Sequence, residues 1–95
     1  MTPEARVKKA VTKQLKDLSC YYFYPVTGGY GRSGVPDIVG CYRGKFFAIE
    51  CKANGNTTTA LQSMNLTNIK KAGGNCWVID ENTATLVTRL ITEMD

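Results

Sequence analysis

Histidine is absent from this 95-residue chain, and its four cysteines (Cys20, Cys41, Cys51, Cys76) include no pair at C-x-x-C spacing. These two gaps argue against a zinc site, which draws its ligands from those residue types. No apolar run approaches the 18 residues of a membrane span, and no signal-peptide pattern is present. A cytoplasmic protein with no membrane partner is the expectation, its cysteines reduced core thiols and disulfides the minor alternative. Internal repeats, linkers and low-complexity tracts are also missing. Residues 1–95 are therefore expected to form a single domain with one sheet and a few helices. Acidic residues are scarce in an informative place: between Asp17 and Asp80 there are only two, Asp37 and Glu50.

The chain is otherwise ordinary for a folded protein, with 43% hydrophobic and 21% charged residues. Its charge is uneven. Residues 1–79 carry eleven Lys and Arg against four acids, whereas residues 80–95 carry one Arg against four acids. A basic body suits a polyanion, and nucleic acid is the first candidate. Charge alone is weak support, because many small proteins reach +4 without such a partner.

Thr2-Pro3-Glu4 reads as a helix start, with Thr as N-cap, Pro in the first helical position and an acid in the first turn. Val7, Val11, Leu15 and Leu18 continue it as an apolar stripe, and Glu4 falls within the angular range of that stripe. Arg6, Lys9, Lys13 and Lys16 gather on the opposite side, a solvated helix face. Cys20 to Val26 reads as a strand whose aromatics on both sides suggest cover on both faces. A glycine-rich loop follows, over 27–35. It lacks the Lys-Ser/Thr ending of a Walker loop and leads into a strand. Asp37–Tyr42 and Lys45–Lys52 then form a hairpin. After Asn54-Gly55-Asn56, a helix is expected from Ala60 to Ala72, closed by Gly73-Gly74. Cys76–Ile79 reads as a strand, and Leu86, Val87, Leu90, Ile91 and Met94 mark a final helix.

The hairpin carries the chemistry. If Arg43-Gly44 is a two-residue turn, Tyr42 pairs with Lys45, and stepping outward along both strands sets Asp37 against Glu50. Their Cβ atoms then lie roughly 4.5–5.5 Å apart on one face. Like charges at that distance destabilise a hairpin unless something positive sits between them. A hard divalent cation such as Mg²⁺ suits one or two carboxylates, and Mn²⁺ is the expected substitute. Lys52 points to the same face about 7 Å further along. Two acids and an amine on one face are the parts of a metal-dependent phosphodiester hydrolase.

The α-β-β-β-α-β order with Pro36-Asp37 and Glu50-Cys51-Lys52 resembles the PD-(D/E)xK (restriction-endonuclease-like) nuclease superfamily. With Glu4, Gly34-Val35-Pro36-Asp37 and Gln62, the chain resembles its virus-type replication-repair nuclease (VRR-NUC) family over nearly the full length. The resemblance implies an α/β fold and metal ligation by Asp37, Glu50 and the backbone carbonyl of Cys51. It implies a catalytic Lys52, a supporting Glu4, and a Gln62 that positions Lys52 or the attacking water. Each residue also has a plainer reading. Asp37 and Glu50 suit a solvated hairpin, Lys52 a strand-end ion pair, and Glu4 the helix dipole. Thr59-Ala60-Leu61-Gln62 matches a capping box, and Asn65 reads as polar packing. Arg32 and Ser33 could bind phosphate just before the acid, or belong to an incidental flexible loop. Tyr22 and Tyr24 could stack on bases, though packing suits them better.

Chains of this family with no accessory domain resemble Holliday junction resolvases, which act as homodimers, and the cytoplasm of a bacterial or phage-infected cell is the expected location. The expectation is thus an Mg²⁺-dependent endonuclease for four-way DNA junctions, working as a homodimer. Cleavage of flaps, nicks or other branched DNA is the alternative within the same chemistry. A non-catalytic DNA-binding module, or a subunit of a larger repair or restriction assembly, is the alternative outside it.

Overall fold

The computed structural model describes residues 1–26 and 33–95. Helix α1 spans Pro3–Asp17 and begins as its sequence dictates, the Thr2 hydroxyl accepting from the Ala5 N–H at 3.1 Å. Three antiparallel strands follow: β1 (Tyr21–Phe23), β2 (Ile38–Tyr42) and β3 (Lys45–Cys51). Helix α2 (Ala60–Lys71) then crosses over to β4 (Asn75–Ile79), which pairs in parallel with β3. A 3₁₀ turn at Ala84–Leu86 runs into the short helix α3, Val87–Thr92. The sheet order is β1-β2-β3-β4.

The β2–β3 turn is the one the sequence called for. Arg43 and Gly44 both adopt positive φ, at 50° and 82°. That is the requirement of a type I′ turn, whose twist matches that of the flanking strands. The resulting register runs from Tyr42↔Lys45 to Ile38↔Ile49 without a bulge.

One face of the sheet builds the core. Ile38, Phe47, Ile49, Cys51 and Ile79 pack there against Val7, Val11 and Leu15 of α1 and against Val87, Ile91 and Met94. Gln14 locks α1 to the C-terminal segment. Its amide nitrogen donates to the Ala84 carbonyl at 2.6 Å, and its oxygen accepts from the Thr88 N–H at 2.8 Å. The other face is covered on the β4 side by α2, where the Cys76 thiol donates to the Leu66 carbonyl at 3.4 Å.

Two expectations need correction. The Cys20–Val26 run is a three-residue edge strand, not one covered on both sides: Tyr21 is 72% and Phe23 48% exposed. Cys20 and Tyr22 turn toward the core, where they pack at the margin. Alternation sends Tyr21 and Phe23 to the opposite face, beyond the β4 side where α2 packs. The cysteines divide likewise. All four are free, but only Cys51 and Cys76 are buried, and Cys41 is exposed beside Tyr21 on the open face. The final helix forms as expected, except that Leu86 stays exposed.

Candidate active site

Extending the β2–β3 register one step past Ile38↔Ile49 brings Asp37 against Glu50. The two acids sit differently. Asp37 is half-buried, and its Oδ2 accepts from the Cys51 N–H at 2.9 Å. Glu50 is only 2% exposed, enclosed between β2 and β4. Its Oε2 is buried and finds no hydrogen-bond partner among the described residues. Such an orphaned carboxylate oxygen is costly and calls for a proton or a cation.

The electrostatics agree. Burial, then the hydrogen bond and the repulsion from Asp37, push the Glu50 carboxyl up to about 8, against an ordinary value of 4.5. Lys52 pulls it down and Glu4 adds to the rise. Without a cation, Glu50 therefore holds a proton at neutral pH. The Cys51 thiol is pushed up to about 12 by burial and by Asp37, with Lys8 pulling the other way. A thiol so placed is not a nucleophile at neutral pH. Cys51 can serve the site only through its backbone.

Lys52 closes β3. Its N–H donates to the Ile79 carbonyl at 2.9 Å, which fixes the strand end against β4. Among the described residues its amine is in no ion pair within 4.0 Å, yet its charge is felt at Glu50. Glu4 departs from expectation: it is exposed rather than turned into the sheet. Its charge still reaches Glu50 and Cys51, which places it at the rim of the acid pair.

Gln62 completes a reciprocal capping box. Its Oε1 accepts from the Thr59 N–H at 2.9 Å, and its own N–H donates to the Thr59 hydroxyl at 3.2 Å. The amide nitrogen of Gln62 makes no hydrogen bond among the described residues. Ser33 is exposed, and Arg32 lies outside the described residues.

Two contributors were missed by the sequence reading. Asn65, read as packing, donates from Nδ2 to the carbonyls of Leu61 (2.9 Å) and Ser33 (3.4 Å). Beside that contact, Gly34 has φ +75° and its Cα faces α2 so closely that an added Cβ would lie 2.6 Å from Leu61 Cγ. Helix α2 thus clamps the segment that leads into Asp37. No sequence signal spans the 32 residues between Ser33 and Asn65. Lys8 is the other: half-buried, it lies 5.8 Å from the Tyr24 ring centroid, and its charge reaches Cys51. Its spacing of four from Glu4 was a readable signal, since residues four apart share a helix face.

The donor set is two carboxylates with hard oxygen atoms. Among the described residues no group of three or more His, Cys, Asp or Glu side chains converges to hold a metal.

No protein-family model matches the sequence, and no curated protein matches it either. A solved structure described as a VRR_NUC domain superposes with a TM-score of 0.77, at 23% identity and covering 100% of both chains. The chain has the fold of that domain, and its four-stranded mixed sheet with flanking helices fits a PD-(D/E)xK-like core. The resemblance drawn from Pro36-Asp37 and Glu50-Cys51-Lys52 holds at the level of the fold.

Proposed function

We propose that this chain, built on the VRR_NUC fold, is a cation-dependent endonuclease that hydrolyses phosphodiester bonds in DNA. The observation that carries the reading is the orphaned, buried Oε2 of Glu50 opposite Asp37. A carboxyl pushed up to about 8 at the end of a central strand costs the cation-free fold stability, and groups held at such a cost are typical of functional sites. Asp37, Glu50 and the Cys51 carbonyl are the residues that would hold Mg²⁺ or Mn²⁺. Two carboxylates, with substrate oxygen and water filling the remaining positions, suit such an ion. When bound, the ion supplies positive charge to the phosphate and makes water a better nucleophile.

The chain's own residues supply the rest. Lys52, half-buried and among the described residues in no ion pair, would orient the attacking water and offset charge on the pentavalent phosphate. Asp37 is held in place by the Cys51 N–H. Glu4 acts from the rim, through water. Gln62 presents its amide nitrogen while its oxygen stays in the cap. Ser33, with Arg32, offers phosphate contacts ahead of Asp37.

The preferred substrate in this reading is a four-way junction, cut by a homodimer. One chain presents one acid pair, and paired cuts in opposite strands need two related by a two-fold axis. Cleavage of flaps and other branched DNA follows from the same chemistry. The test is incubation of the purified chain with labelled junction, flap and linear duplex, with and without Mg²⁺. Cleavage that requires Mg²⁺ and disappears in Asp37→Asn is expected. Full activity in Asp37→Asn would remove the assignment.

A further inference from the structure

A hollow lies between the tip of the β2–β3 hairpin and the C-terminal half of α2, and we propose that it binds the base of an unpaired DNA nucleotide. Its volume of about 550 Å³ is that of a small-molecule site. Phe46 supplies one wall. A Cβ added to Gly74 would lie 2.8 Å from Phe46 Cδ1 and 2.8 Å from Ile69 Cγ2, so only a bare glycine lets the ring seat there. Held against the chain on that side and 43% exposed, the ring is a fixed platform on which a base can stack. A base in a duplex has both faces stacked and its pairing edge occupied, so the base received here is an unpaired one.

Asparagines supply the polar contacts. Asn75 Nδ2 donates to the Phe46 carbonyl at 3.2 Å, and Asn65 Nδ2 donates to the carbonyls of Leu61 and Ser33. A carbonyl only accepts, so each amide is fixed with its nitrogen on the backbone and its Oδ1 left as a spare acceptor. Asn68, exposed beside Asn65 on α2, offers both ends of its amide. The Asp95 carboxylate, the one acid among the lining residues, adds further acceptors. Acceptors outnumber donors, which favours a base that carries an amino group. Cytosine does, whereas thymine presents a carbonyl in the same place.

Charge identifies the rest of the ligand. Lys45 also lines the hollow, and its amine donates one N–H to the Met94 carbonyl at 2.6 Å, which leaves two. Lys71 stands three residues from Asn68 on α2, a neighbouring position of the helix surface, and is in no ion pair among the described residues. Two ammonium groups beside a base pocket suit the phosphates on either side of that base. By alternation Phe46 and Glu50 share one side of β3, four residues or about 13 Å apart. That is about four nucleotides of stacked strand, so a strand with one base in the hollow reaches the acid pair. The pocket rests on the proposed function for DNA as the polymer, and binding in EDTA tests it apart from cleavage.

Fluorescence anisotropy of the full chain in EDTA, with labelled octamers at matched salt, should show oligo-dC bound about five-fold tighter than oligo-dT. Asn68→Ala should remove that preference, whereas Lys71→Ala should weaken both octamers about equally and keep it. Phe46→Leu should weaken both about ten-fold with an unchanged circular dichroism spectrum. The mononucleotide dCMP should bind about a hundred-fold more weakly than oligo-dC, because it lacks the neighbouring nucleotides that hold the strand. Equal binding of the two octamers, a preference retained in Asn68→Ala, or dCMP bound as tightly as oligo-dC (a site for free nucleotides) would overturn the proposal. Asp37→Asn should keep the oligo-dC preference. That preference in a wild type that cleaves nothing with Mg²⁺ would leave the pocket standing and remove the nuclease reading.

Discussion

Replacing Glu50 by Gln keeps the shape of the side chain and removes the charge that the fold resists. The unfolded chain titrates Glu50 near 4.5, whereas the folded chain holds it near 8. Below pH 4.5 both states are protonated and the group costs nothing. As pH rises from 4.5 to about 8, the unfolded chain ionises first, so the metal-free protein loses stability throughout that window. Above about 8 the full cost is present. At about 1.4 kcal/mol per pH unit, the window sets a ceiling of about 5 kcal/mol. Local relaxation and water entry reduce that to about 2–4 kcal/mol. Urea unfolding in EDTA at pH 5 and pH 8, on wild type and Glu50→Gln, measures it. Other titrating groups cancel in the double difference. Glu50→Gln should be the more stable protein at pH 8, with an unchanged m-value, and its advantage should shrink at pH 5. Saturating Mg²⁺ should restore the wild type at pH 8, by about 2.7 kcal/mol at a hundred times Kd, and leave the variant nearly unmoved. Parallel pH curves for the two proteins, or a variant less stable at pH 8, would refute the argument.

Lys52→Ala should lower cleavage by about 10²–10³-fold while calorimetry still detects Mg²⁺ binding, and wild-type rates would remove its role. Thr59→Ala should cost about 1 kcal/mol of stability through its lost cap and keep cleavage, whereas Gln62→Ala should lose both cap and cleavage. Equal activity in these two variants would confine Gln62 to the cap. Gly34→Ala forces a Cβ onto Leu61 at a positive φ, so it should cost about 1–3 kcal/mol and slow cleavage with it. Thermal unfolding and single-turnover rates check both effects. At matched salt a four-way junction should be cut faster than linear duplex of the same sequence, with paired cuts in opposite strands.

The features legible from sequence are those governed by local rules. Thr2-Pro3-Glu4 starts α1, Thr59 and Gln62 cap α2, and Arg43-Gly44 sets a turn from which the placement of Asp37 against Glu50 follows. Each involves residues within one element or one hairpin. The features that escaped depend on what other elements do. Exposure of Tyr21 and Cys41 depends on which strands α2 covers, and period-2 alternation carries no such information. The depth of Glu50 depends on β4 docking in parallel beside it, across a crossover of more than twenty residues. Glu4 lies within the apolar stripe by angle yet stays exposed in the first turn of α1. The Asn65–Ser33 contact joins a helix to a loop far away in sequence.

The uninterrupted β2–β3 ladder also says where this chain tolerates insertions. The opposition of Asp37 and Glu50 depends on parity along the two strands, not on the length of the loop that joins them. A peptide spliced at Arg43-Gly44, where a side chain added to Gly44 would meet nothing within 4 Å, leaves every ladder pair in place. One residue added between Lys45 and Glu50 does the opposite. It turns Glu50 to the opposite side of the sheet and sends a core residue toward Asp37. The hairpin tip is therefore the place for an epitope or a fluorophore, and the six residues from Lys45 to Glu50 are the stretch where length cannot change.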